Sequence, residues 1–164
     1  MSRELGIVEI LRGEGVPRLD CDTVLNSDLA PTQLLRVVPR TKLLMLFWTP
    51  TCAPCKPLLA ELAAVAKTNP GDVTFLGVVQ SSNPDVDPPG DLRLRQVEEL
   101  MTENKVTFPT CVHSSSDTSR RWQAQGVPLM LLMSAESGVE RAALGRRNGE
   151  KLLRELTNSA KHVR

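Results

Sequence analysis

Aromatic residues are scarce in this sequence and tyrosine is missing: two Trp and three Phe make up 3% of 164 residues. So thin a supply argues against the modules that stack nucleic-acid bases on aromatic side chains. An excess of one charge is missing too. Against 20 Lys and Arg stand 19 Asp and Glu, a formal net charge of +1. That balance gives no general attraction to nucleic acid, an anionic membrane or a polyanionic substrate. No run approaches the ~20 apolar residues of a membrane span; the longest, Leu43–Trp48 and Val127–Met133, are strand-sized. Residues 1–20 have no uninterrupted apolar stretch of the kind a secretion signal needs, because Arg3, Glu4, Glu9, Arg12 and Glu14 interrupt it. Two locations stay open: extracytoplasmic (periplasmic), if a leader or anchor lies outside this sequence, or cytoplasmic. Internal repeats and low-complexity segments are absent.

What is present suits one globular domain spanning 1–164. Hydrophobic residues make up 41% and charged residues 24%, and a chain this long buries about two thirds of its unfolded surface. Residues 1–16 are weakly patterned and are expected to be a peripheral segment. Val16, Leu19, Cys21, Val24 and Leu25 suit one or two edge strands, and Pro31–Val38 a short helix or turn. Lys42–Trp48 is a continuous apolar run, as in a central strand buried on both faces. From Cys52 to Lys67, Leu58, Leu59, Leu62, Val65 and Ala66 recur at helical spacing. Pro54 suits the first turn, where its missing N–H matters little. Val73–Val79 reads as a second buried strand, so residues 42–79 predict a strand–helix–strand unit with parallel pairing. A proline-rich loop (Ser81–Gly90), a helix over Leu92–Asn104, a strand over Phe108–Val112 and a short helix around Trp122 follow. Leu129–Met133 and Val139–Leu144 flank a turn and predict a hairpin, and Gly149–Ala160 a final amphipathic helix. The sum is an α/β sandwich with a mixed central sheet.

Four cysteines are too few for a disulfide-stapled mini-scaffold. Cys52 and Cys55 form a C-x-x-C; Cys21 and Cys111 stand alone. Without a second C-x-x-C a zinc ribbon is disfavoured, and no metal site is expected. Cys21 and Cys111 read as buried free thiols packing as small hydrophobes, with a bond between them as the alternative. His113 has no second ligand nearby and reads as a surface histidine.

Cys52 falls directly after a buried strand, at the mouth of a helix. Unpaired N–H groups and the positive end of the dipole stabilise a thiolate there, and the thiolate is the reactive species. Lys56 adds a nearby positive charge. Cys55, one turn further in, is placed to attack a mixed disulfide formed at Cys52. Gly126-Val127-Pro128 stands immediately before a strand, where proline is tolerated and an X–Pro bond can be cis.

The stretch Phe47-Trp-Thr-Pro-Thr-Cys-Ala-Pro-Cys-Lys56 resembles the active-site segment of the thioredoxin superfamily. Val127-Pro128 followed by strand, turn, strand, Gly145 and helix looks like that superfamily's cis-proline half. The N-terminal extension and the insertion before Val127, with Glu99–Asn104 and Val106–Pro109, are similar to the TlpA/ResA-like thiol–disulfide oxidoreductases. The resemblance implies a thioredoxin-like sandwich. It assigns attack to Cys52 and resolution to Cys55, with Ala53, Pro54 and Lys56 modulating them. Pro128 becomes the cis-proline beside the disulfide, Val127 the residue that pairs with an extended substrate, and Trp48 the strand-end contact. It implies a protein disulfide or dithiol substrate, an upstream electron donor, no cofactor beyond the Cys52–Cys55 disulfide, a mainly reducing direction and work outside the cytoplasm. Two departures stand out. Leu46 occupies the place of the thioredoxins' buried aspartate, and Leu58 that of a ResA-type glutamate. Glu61, on the same helix, is off that position. The missing carboxylates keep a second reading in play: a catalytically inactive, thioredoxin-like protein-binding module.

Overall fold

A computed structural model describes residues 3–14, 17–35, 41–68, 73–80, 90–112, 117–124 and 126–162. In chain order the elements are α1 (Arg3–Glu14), β1 (Thr23–Leu25), α2 (Pro31–Leu34), β2 (Lys42–Trp48), α3 (Cys55–Thr68), β3 (Val73–Val79), α4 (Gly90–Glu103), β4 (Thr110–Val112), α5 (Asp117–Arg121), β5 (Leu129–Ser134), β6 (Gly138–Leu144) and α6 (Arg146–His162). The six strands form one sheet in the order β1-β4-β3-β2-β5-β6. β2 pairs parallel with β3, and β3 with β4. The hairpin β5–β6 is antiparallel and joins the other side of β2, also antiparallel. The expected mixed sheet is therefore present, with the parallel β2–α3–β3 unit at its centre.

The unbroken apolar run of β2 is explained by burial on both faces, because successive side chains of a strand point to opposite sides. Leu44, Leu46 and Trp48 join one cluster with α3 (Leu58, Leu59, Leu62), α4 (Val97, Met101) and α6 (Leu152, Leu153). Leu43, Met45 and Phe47 join the other, with α1 (Ile7, Val8, Leu11), Leu34 and Trp122. α6 lies close on α3: a Cβ on buried Gly149 would come within 2.7 Å of a Leu58 methyl.

Two expectations are corrected. The N-terminal segment is not peripheral; residues 3–14 form α1, which buries Ile7, Val8 and Leu11 in the second cluster. The Arg12 Nε donates to Val139 O at 2.6 Å, and the Leu144 N–H to Glu4 Oε2 at 2.8 Å, so α1 is fastened along β6. Leu5 and Ile10 are exposed, and these outward apolar residues blur the pattern a sequence reader looks for. Cys21 and Cys111 are not free thiols. They form a disulfide across 90 residues, and Cys111 is completely covered. Antiparallel pairing of β1 with β4 sets Thr23 against Val112 and Val24 against Cys111, which carries the chain just before β1 to Cys111. Neither sequence neighbourhood announces that register. The proline-rich stretch 81–89 and His113 lie outside the described residues.

Candidate functional site

β2 delivers the chain to the site and a tight turn receives it. After Trp48 the chain turns through Thr49-Pro50-Thr51, and the Cys52 N–H donates to Thr49 O at 3.2 Å. The Cys55 N–H then donates to Cys52 O at 3.2 Å, and Lys56 N–H to Ala53 O at 3.3 Å, which starts the helical winding. α3 thus opens at Cys55 rather than at Cys52. Cys52 sits just outside the first turn, where the helix end still favours a thiolate. Its sulfur is bonded to that of Cys55, with Cα atoms 5.3 Å apart. Cys52 is half-buried and Cys55 fully buried, so Cys52 is the more accessible of the two.

The cis-proline arrives from the other side of β2. The antiparallel register pairs Phe47 with Leu129. One step further sets Trp48 beside Pro128, four residues before Cys52. The Val127–Pro128 peptide bond is cis. Val127 is half-buried and, like Cys52, packs on the cluster that holds Cys55. Pro128 O accepts from Gly145 N–H at 2.9 Å. Gly145 has φ +89°, a region closed to most side chains, and it turns the chain from β6 into α6. An open groove of about 600 Å³ results, with Ala53 and Pro54 on one wall and Leu144–Asn148 on the other.

Trp48 requires a correction. It is 1% exposed and offers no surface to a partner; it is a core residue beneath the site. Its indole Nε1 has no hydrogen-bond partner among the described residues. Leu46 and Leu58 are also fully buried, so the side chains at both carboxylate positions are apolar. Glu61 does not replace them. It lies a turn and a half along α3 from Cys55. Burial raises its carboxyl above the ordinary range, Glu150 of α6 adds to that, and Arg154 and Arg146 oppose it. Ala53, Pro54 and Lys56 are exposed around the turn. No cluster of three His, Cys, Asp or Glu suited to a metal occurs among the described residues, and no described helix is long and apolar enough to cross a membrane.

One positioning residue was missed. Gln80, 5% exposed, follows β3. Its backbone N–H donates to Trp48 O at 3.2 Å, and its side-chain amide donates to Ala124 O at 3.0 Å. It ties the end of β2 to the segment that leads into Val127-Pro128. A lone glutamine after an apolar strand gives no sequence signal of this role.

The fold recurs in known proteins. A thioredoxin-like protein solved in solution in its oxidised form superposes with a TM-score of 0.68 at 20% identity, over 88% of this chain and 92% of that one. The fold is thioredoxin-like. StoA from Bacillus subtilis superposes with a TM-score of 0.57 at 22% identity, over 71% of this chain and 83% of that one. By sequence, the chain is 25% identical over 111 residues to sporulation thiol-disulfide oxidoreductase A of Bacillus subtilis (strain 168). That match takes in 68% of this chain but only 64% of the relative's length. No protein-family model matches. The resemblance read from the Cys52–Cys55 stretch and the Val127-Pro128 turn is borne out by these relatives.

Proposed function

We propose that the chain is a protein thiol–disulfide oxidoreductase that works as a reductant. The observation that carries this reading is the Cys52–Cys55 disulfide: one sulfur within a partner's reach, the other covered, beside a cis-proline edge. In the reduced form the Cys52 thiolate attacks a disulfide of the partner. A Cys52–partner bond forms, the partner's own S–S bond breaks, and one partner thiolate leaves. The Cys55 thiolate then attacks Cys52 Sγ, reforming the Cys52–Cys55 bond and releasing the second partner thiolate. Two electrons and two protons pass to the partner. Val127 offers its backbone to the partner's extended segment. With leucine at both carboxylate positions, the Cys55 proton leaves to water or to the departing thiolate. The electron carrier is the cysteine pair itself, without further cofactor, and an external dithiol donor restores it.

A second disulfide, Cys21–Cys111, supports an extracytoplasmic location, because such bonds persist in oxidising compartments.

The experiment is a thiol-buffer titration of the pair, read by quenched alkylation and mass, with two variants beside it. Cys52→Ser should abolish turnover on a protein disulfide, and Cys55→Ser should accumulate mixed disulfides. A potential near the about −270 mV of thioredoxin supports the reductant, and one near the about −120 mV of a strong oxidant reverses the direction. Full activity in Cys52→Ser would overturn the mechanism, and no reversible two-thiol change at any poise would leave the binding module as the better reading.

A further inference from the structure

We infer that the groove flanking the Cys52–Cys55 disulfide selects an acidic segment of the substrate protein, with Arg147 as the main recognition residue and Arg146 beside it. This rests on the oxidoreductase reading and names the class of partner. The groove is placed to touch what surrounds the target disulfide. Ala53 and Pro54, between the two cysteines, form one wall, and Arg146 and Arg147 stand on the other. The bond from Gly145 N–H to Pro128 O makes that second wall continuous with the cis-proline edge.

The charge of the groove is one-sided. No carboxylate lines it. Glu4, which reaches Asn148 from α1, has both oxygens engaged, one by Leu144 N–H at 2.8 Å and one by the Asn148 amide at 3.3 Å. Glu150 pairs with Arg146 at 2.8 Å. Arg147 is exposed and has no carboxylate partner among the described residues, and the same is true of Lys56, two residues beyond Pro54.

Folding gives Arg146 an ion pair with Glu150 but gives no reason for Arg147 in this place. α6 is 17 residues long and starts with two arginines and no acid in its first turn. α3, whose start also borders the groove, has no acid in its first turn. Helix amino ends favour acids and disfavour cations, so Arg147 opposes its own helix. A guanidinium fork matches a carboxylate in shape and charge, so Asp and Glu beside the partner's cysteine are the complementary chemistry.

The test uses the full chain, reduced beforehand, in single turnover against three disulfide-looped peptides. They are identical except for two residues flanking one cysteine: Glu, Gln or Lys. Hydroxyethyl disulfide, small and uncharged, is the fourth substrate. At low salt the Glu peptide should react roughly threefold to tenfold faster than the Gln peptide, as suits one or two exposed ion pairs. The Lys peptide should be slower still, and 0.5 M salt should compress the series. Arg147→Gln should narrow the spread, and Arg147→Glu should turn the preference towards the Lys peptide, which a misfolded variant would not do. Equal rates for all three peptides, or an unchanged order in Arg147→Glu, overturns the inference while reduction of hydroxyethyl disulfide keeps the enzyme reading. Failure to reduce any of the four overturns both.

Discussion

Glu61 shows how much one side chain's neighbours decide. Its carboxyl is raised first by burial and then by Glu150. A carboxyl raised on folding binds its proton more tightly in the folded state, so its ionisation opposes folding. The penalty is absent in acid, where folded and unfolded chains are both protonated. It grows as pH rises through the ordinary carboxyl range and the raised folded value, and is complete above that value. Glu61→Gln should therefore match the parent near pH 3 and exceed it at pH 7, by less than about 0.5 kcal/mol for a part-buried group still screened by solvent. Urea midpoints at the two pH values check this; an equal offset at both would remove the electrostatic account. Sequence could place Glu61 on α3, but its neighbours Glu150, Arg154 and Arg146 come from a helix some 90 positions on, and only packing brings them together. Trp48 is a similar case. Its position at the end of β2 was legible, but its burial depends on the far side of the sheet.

Among the elements, the edge of the sheet was the least legible. β1 and β4 are each only three residues long, and the Cys21–Cys111 bond fastens the chain entering β1 to β4 itself. Closing a loop of 90 residues restricts the unfolded chain strongly, and losing such a bond costs about 2–5 kcal/mol. The double variant Cys21→Ala, Cys111→Ala should show that loss in equilibrium denaturation. Its Cys52–Cys55 pair should still exchange with thiol buffers. A denaturation curve superimposable on the parent's would mean the bond constrains nothing. The long elements were a different matter. β2 and β3 were legible to the residue because a strand buried on both faces needs a continuous apolar run. α3 and α6 were legible because each buries a single stripe. α1 was not, since Leu5 and Ile10 face outwards and its buried side is defined only where it docks on β6 and the second cluster.

Taken whole, the molecule holds two disulfides of different standing and no free cysteine. Cys52 stands half-exposed in a surface turn; Cys111 is sealed inside the sheet. Structural bonds resist reduction at poises where redox-active ones open. Graded dithiol treatment followed by alkylation and mass should release two thiols first, mapped to Cys52 and Cys55. The second pair should appear only under stronger reduction or with denaturant. Simultaneous release of all four, or release of Cys21 and Cys111 first, would contradict this division of roles.

The sequence by itself determined the candidate site and the central frame: a C-x-x-C after a buried strand, a helix behind it, and a Val-Pro before another strand. Those are local facts, carried by the chain's own spacing. Only the tertiary structure decided that Cys21 meets Cys111, that Trp48 is covered, that α1 belongs to the core, and that Arg147 borders the same groove as Pro54. Each of these joins residues far apart in the chain, and contacts at that distance depend on strand order and helix docking rather than on any local pattern.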